Sequence, residues 1–302
     1  MRLFHIALAL LIIMIWGFNF VMIKIGLLRI PPIFLVCCRF FLTSIPLVFF
    51  VKKPSIPFSK TLSYGLVMFS LQFALLFVGI DLGVSPGLAS ILLQVQVFFT
   101  ILLSVIIFKE KLHKLQILGA VLACFGITLI GLNLGTEISL PGFLCVLGAA
   151  FAWGPGNILS KKIENVDILS LVAWSSLIAW PPLLLLSLLL EGPYAIYDSF
   201  RYIHWHSLGA VLYITYLSTL LGFYIWNRLI HHYSLSMVAP FSLLSPVVGI
   251  LSSTLVLKES LQLWKVLAAC FIIIGLCINL LGSRKLSQRK EDILELKKEE
   301  ET

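Results

Sequence analysis

The sequence predicts an all-α integral membrane protein, with ten transmembrane helices arranged as two inverted five-helix repeats. Three observations predict it. Of 302 residues, 60% are hydrophobic and only 12% charged, and the mean hydropathy is +1.04; soluble domains carry about a quarter charged residues. Apolar windows of roughly 20 residues recur along the chain, each long enough to cross about 30 Å of hydrocarbon as a helix. The third observation is internal repetition. From Gly87 the chain reads GLASILLQVQVFFTILLSVIIFKEKLHKLQILGAVLACFG, and from Met237 it reads MVAPFSLLSPVVGILSSTLVLKESLQLWKVLAACFIIIG.

The ten windows fall at approximately 5–27, 32–51, 61–80, 86–107, 115–132, 140–160, 168–190, 206–227, 235–257 and 263–282. Unpaired backbone groups are too costly in lipid, and runs of this length satisfy theirs as helices. Barrel strands would be about half as long and strictly alternating. In the first window Arg2 precedes an apolar core, as in a secretory signal. The run is too long for one, lacks a small-residue cleavage site and contains Trp16 and Asn19, so it reads as a retained helix. Pro86 starts the fourth window, while Pro240 and Pro246 interrupt the ninth. The seam lies near Asn133 to Ser139, giving a first repeat over 1–134, a second over 135–282 and a charged tail over 283–302. In that tail RKLSQRK suits anionic headgroups. The remainder, EDILELKKEEET, reads as a short solvated helix or a disordered stretch.

Setting Glu110 on Glu259 aligns Lys109 with Lys258, Leu112 with Leu261, Ala120 with Ala269 and Gly126 with Gly275. Upstream, Trp16, Gly17 and Lys24 fall on Trp153, Gly154 and Lys161. With both termini in the cytoplasm, sixteen basic residues lie inside, and only Arg29, Arg201, Lys258 and Lys265 outside. That bias predicts cytoplasmic termini, and it accounts for the net charge of +8 without a nucleic-acid partner. Five helices per half is an odd number, so the second half must be inverted. A membrane chain of two inverted halves suggests a pathway between them that opens to each side in turn.

Polar residues within the windows mark where such a pathway runs. Arg39 lies about 10 Å into the second helix by helical rise, and a guanidinium at that depth needs a partner or a solute. It reads equally as a carboxylate anchor or as a group satisfied by neighbouring carbonyls. Asn19 and Asn157 follow the Trp-Gly pairs in WGFNF and WGPGN, where the glycines and Pro155 weaken the helices. Gln72, Gln94, Gln96, Ser242 and Ser245 supply further hydrogen-bonding groups, and Trp16, Trp153, Tyr213, Tyr216 and Trp226 are aromatic candidates for the same lining. Lys24 and Lys161 read as interface anchors or as gating residues. Every carboxylate sits at a window end or in a loop, so no proton relay is visible. The chain contains no Walker A sequence, H-E-x-x-H or G-x-S-x-G, which argues against an ATP-driven engine or an enzyme. Six cysteines without a C-x-x-C read as small buried apolar side chains rather than a redox or metal set.

The strings WGFNFVMIKIGL, GLASILLQVQVFFTILLSVIIFKEKL, GNILSKKI and APFSLLSPVVGILSSTLVLKESL resemble the EamA family of the drug/metabolite transporter superfamily. Similarity runs from about Leu8 to Gly282, and within the family it is strongest to exporters of cysteine and O-acetylserine. The resemblance implies ten helices in two inverted five-helix repeats, a bacterial inner-membrane location and outward movement of small amino acids; alternating access is what the inverted halves suggest, and no cofactor is expected. The expected substrate-binding residues are Arg39, Asn19, Gln94, Asn157, Trp16, Gln72, Ser242 and Tyr213; the expected gating residues are Lys24, Glu110, Lys161 and Glu259. A carrier of another metabolite or toxic compound, or a membrane sensor or scaffold acting through the tail, remains an alternative.

Overall fold

The computed structural model describes the chain apart from residues 110, 111, 136, 137, 162, 164, 165, 234, 301 and 302. The side chains at 161, 231, 235, 236, 239 and 284–300 also lie outside the description. The described elements are helical, with a single isolated bridge, Leu134 to Ile138, at the predicted seam. In order they are α1 (Leu3–Leu27) and α2 (Pro32–Val48); α3 (Phe58–Asp81), α4 (Pro86–Phe108) and α5 (Lys114–Gly131); then α6 (Leu140–Lys161), α7 (Ile168–Leu190) and a short α8 (Pro193–Arg201). Next, α9 runs through Trp205–Leu212, Tyr213–Leu221 and Gly222–His232. Last come α10 (Leu235–Ser242), α11 (Ser245–Leu257) and α12 (Leu263–Glu300).

Among the described residues nine helical stretches are long and apolar enough to cross a membrane, and α2 is a shorter apolar helix of 17 residues. The protein is therefore a multi-pass membrane protein. The predicted second window, 32–51, stops early: Pro46 removes a backbone donor near its end, and the helix gives way after Val48. The predicted ninth window is two helices, because the chain turns at Leu243 and Leu244 between Pro240 and Pro246. The amphipathic α8 carries Tyr194, Tyr197 and Phe200 on its exposed surface, an aromatic set typical of a membrane–water boundary.

Four interruptions fall at corresponding places in the two halves. The third long helix of each half contains a π-helical segment, Gly65–Leu71 in α3 and Tyr213–Leu221 in α9. The fourth is disturbed in its first half, by the 3-10 turn Leu93–Val95 in α4 and by the break between α10 and α11. The aligned lysines Lys109 and Lys258 both have left-handed backbones, with φ of 52° and 55°, a conformation costing an L-residue about 1–2 kcal/mol.

The chain forms two compact units, one of Met1–Leu103 with Leu134–Ser260, the other of Ser104–Asn133 with Leu261–Thr302. These do not coincide with the two sequence halves. In the first unit α2 and α3 are joined by a ladder of rings: Phe40 stacks on Phe69 at 4.9 Å and meets Phe73 edge-on at 5.4 Å. The Glu191 carboxylate, just past α7, accepts from the backbone N–H groups of Ile33 (2.6 Å) and Phe34 (3.0 Å) and from the Ser187 hydroxyl (2.6 Å). It thereby caps α2, whose Pro-Pro start provides no capping side chain of its own. The α4 helix crosses α10 and α11 antiparallel. Gln94 Nε2 donates to the Ser242 carbonyl at 3.4 Å, Ser90 reaches the Pro246 carbonyl at 3.5 Å, and Gly87 lies against Ile250 and Ser253. Small residues allow this approach: a Cβ on Gly249 would lie 2.5 Å from Ser90 Oγ, and one on Gly17 would lie 2.5 Å from Val248 Cβ.

In the second unit α5 and α12 cross antiparallel on glycines. Gly119 meets the Gly275 carbonyl and Gly275 meets that of Gly119, while Gly126 faces Ala268 and Ile272. Gln116 Nε2 donates to Ser283 Oγ at 3.1 Å. Cys124, Cys270 and Cys277 are exposed on these helices and only Cys37 is fully buried. Outward cysteines correct the expectation of buried ones: in a chain that spans a bilayer, the apolar outer face is lipid-facing.

Candidate functional site

A cavity of ≈ 200 Å³ lies within the first unit where α1, α2, α3, α4, α6, α9 and the α10–α11 break converge. Its walls are apolar, from Phe20, Phe73, Leu76, Leu93, Phe223 and Leu243, and its polar groups are few: Asn19, Arg39, Ser90, Gln94, Gln96, Ser218, Ser242 and Ser245. Trp16 and Trp153, the aligned tryptophans, both line it. The volume is below the ~300–1,000 Å³ of drug-sized pockets and suits a small solute.

Each polar group is placed by an identifiable local cause. Arg39 is 2% exposed. Its Nε donates to Thr219 Oγ1 at 2.9 Å, and its guanidinium carbon sits 4.3 Å from the Phe73 ring centroid. Its Nη1 is buried without a partner, as are Asn19 Oδ1 and Gln96 Oε1. A buried polar group left unpaired costs about 1–3 kcal/mol, more when charged, and all three atoms belong to residues that line the cavity. Trp16 Nε1 donates to the Ser218 carbonyl at 3.0 Å, and Gly222 leaves room for the indole beside it. Gln94 uses its amide on the Ser242 carbonyl, a group freed where α10 stops. The two helix interruptions thus meet each other at the cavity wall.

A profile of the EamA-like transporter family matches residues 3–132 and again residues 140–281. The chain belongs to this family. It is 42% identical over 284 residues to a "Probable amino-acid metabolite efflux pump" of Escherichia coli (strain K12), covering 92% of this chain and 95% of that protein. A protein of the same description in Salmonella typhimurium is 43% identical over the same shares of the two chains. An uncharacterized transporter of Bacillus subtilis, YoaV, is 27% identical over 88% of this chain and 93% of its own length. One solved structure superposes with a TM-score of 0.63 at 16% identity, covering 94% of this chain and 99% of that one, a likeness of fold.

In this EamA-family chain, five of the eight predicted binding residues come together: Trp16, Asn19, Arg39, Gln94 and Ser242 line the cavity. The other three are not among its lining residues. Gln72 is wholly buried with both amide atoms unpartnered. Asn157 Nδ2 donates to Thr100 Oγ1 at 3.0 Å, and the Tyr213 hydroxyl donates to the Ile15 carbonyl at 3.0 Å, tying α9 to α1. Of the predicted gating residues, Lys24 donates to the Ile80 carbonyl at 3.4 Å, at the C-terminal end of α3. Glu259 lies beside Gly87 in the first turn of α4, where a Cβ would come within 3.2 Å of its carboxylate. Glu110 and the Lys161 side chain lie outside the described residues. Sequence reasoning missed Phe73, Ser90, Ser218, Thr219 and Phe223. Hydroxyls and rings are common in apolar helices, and nothing in the spacing of Thr219 distinguishes it until a π turn rotates it toward Arg39.

Proposed function

We propose that the chain is a secondary carrier that exports small amino acids or their derivatives across a bacterial inner membrane by alternating access, with its termini in the cytoplasm. The observation that carries the reading is a set of cavity-lining residues with buried, unpaired polar atoms in a transporter-family chain. Arg39 Nη1 is a cationic donor suited to a carboxylate, and Asn19 Oδ1 and Gln96 Oε1 are acceptors suited to an ammonium group. Apolar walls of this size admit a short side chain. The efflux named in the E. coli and Salmonella relatives supports the direction.

Ten spans in two inverted five-helix repeats, 1–134 and 135–282, form the framework we propose. The recurrence of one family profile in both halves supports it, as do the paired π segments and the antiparallel crossing of α4 with α10 and α11 at aligned positions. Opening and closing then occurs as one repeat rocks on the other, with Lys24, Glu110, Lys161 and Glu259 meeting helix ends alternately on the two faces. Gln72, Asn157 and Tyr213 support the site from behind. A tail-driven sensor or scaffold gains no support from a transporter-family match.

The test is transport itself. Purified protein in liposomes should exchange labelled cysteine or O-acetylserine, and cells overproducing the chain should accumulate the same solute in the medium. If a panel of amino acids and derivatives stays put in both assays, the substrate reading fails and another metabolite takes its place.

A further inference from the structure

Resting on the reading of Arg39 as a carboxylate anchor, we propose that Thr219 is a positioning residue: its hydroxyl takes one edge of the guanidinium, so that another edge is presented to the cavity. Four observations assign the role. Thr219 is wholly buried and receives Arg39 Nε–H at 2.9 Å. A hydroxyl has one proton to give, and Thr219 gives it to the Ile214 carbonyl at 2.8 Å. Toward Arg39 the oxygen is thereby an acceptor only, which matches a guanidinium, a group that only donates.

The second observation is the register. Thr43, Thr100 and Thr128 lie in ordinary helix and donate to carbonyls four residues back, those of Arg39, Gln96 and Cys124. Thr219 reaches five back, inside the π-helical Tyr213–Leu221. Each residue of α-helix turns the side-chain direction by about 100°, so removing the π turn would swing Thr219 away from Arg39. Third, Trp16 Nε1 holds the adjacent Ser218 carbonyl at 3.0 Å, which pins this segment against α1. Fourth, the Phe73 ring lies 4.3 Å from the guanidinium carbon and sets its plane. A guanidinium is planar, so fixing Nε and the plane fixes the other nitrogens; Nη1 stays buried, unpartnered, on a side chain that lines the cavity.

Thr219→Val keeps the shape and removes the acceptor; Thr219→Ser keeps the acceptor. In liposomes, half-saturation for labelled cysteine should rise about tenfold or more in Thr219→Val. The maximal rate should change far less, and Thr219→Ser should restore the wild-type value. Inhibition by cysteamine, which lacks the carboxylate, should be alike in all three. A second measurement needs no transport: tryptophan fluorescence, reporting through Trp16 and Trp153, is titrated with acetate and alanine. Both should bind more weakly to Thr219→Val than to wild type or Thr219→Ser. Wild type that binds acetate yet moves no amino acid sinks the transport reading and leaves the anchor standing. Unchanged half-saturation and binding in Thr219→Val, a Ser variant as impaired as the Val one, or no response of wild type to any carboxylate overturns the proposal.

Discussion

At the residue scale, charge alone does not explain Arg39. A lysine would carry the same charge, but as a point donor that cannot hold Thr219 with one edge while offering another to a solute. It would also lose the planar stack on Phe73. We predict that Arg39→Lys, checked for normal expression and a monodisperse elution profile, transports at no more than about a tenth of the wild-type rate. Proteoliposome exchange measures this, and wild-type exchange by the lysine variant would show that the guanidinium geometry is dispensable. A candidate polar site is legible in the sequence, because a guanidinium and amides inside apolar helices each need a partner, whether a protein group or a solute. Which groups answer Arg39 is not legible. Thr219 is 180 positions away, and only the π turn of α9 brings its hydroxyl round. For the same reason the hydroxyl of Tyr213, aromatic and within an apolar helix, points to the Ile15 carbonyl and ties α9 to α1.

At the scale of elements, two contacts make sharp predictions. Ser90 and Gly249 set the spacing of α4 and α11: a Cβ on Gly249 would lie 2.5 Å from Ser90 Oγ and 2.7 Å from Ser90 Cβ. Gly249→Ala should destabilise by about 1–3 kcal/mol through overpacking. Adding Ser90→Gly should recover most of that loss, since the clash is with one small side chain; thermal melting in detergent reads both variants, and failure of the double variant to recover would show strain elsewhere. Glu191 is the second case. Its carboxylate gathers three donors, two of them orphan N–H groups of α2. Glu191→Ala should cost about 1–2 kcal/mol, visible as a lowered melting midpoint, and Glu191→Gln should cost less because it keeps acceptors. The long apolar helices could be read from hydropathy because each had to satisfy its backbone internally, whereas the amphipathic α8 lies between two predicted windows. The break at Leu243–Leu244 was visible only as flanking prolines, Pro240 and Pro246. The π segments left no mark, because YITYLSTLL and GLVMFSL are as apolar as the helix around them.

At the scale of the molecule, the proposed inversion predicts where surface positions face. If two related halves are turned over relative to each other, aligned segments that touch must cross antiparallel, and contacts must come in exchanged pairs. Within the second unit the alignment sets Gly119 on Ala268 and Gly126 on Gly275, and the contacts are Gly119 with Gly275 and Gly126 with Ala268. Within the first unit, α2 and α7 are the second helices of their halves. Cys37 Sγ donates to the Trp180 carbonyl at 3.6 Å, while Glu191 beyond the end of α7 caps the start of α2. The loop after α2, with Lys52, therefore lies at the opposite end of α2 from the connection after α7, in which the short helix α8 carries Asp198. These are the corresponding connections of the two halves. In a cysteine-free background, Lys52→Cys should be shielded from a membrane-impermeant maleimide added to intact spheroplasts, and Asp198→Cys should react; lysis should expose the first without changing the second. Matching accessibility at the two sites would place both connections on one side of the bilayer. A parallel repeat of that kind could not offer the same site to each face by rocking, and the alternating-access mechanism would have to be given up even if the solute were confirmed.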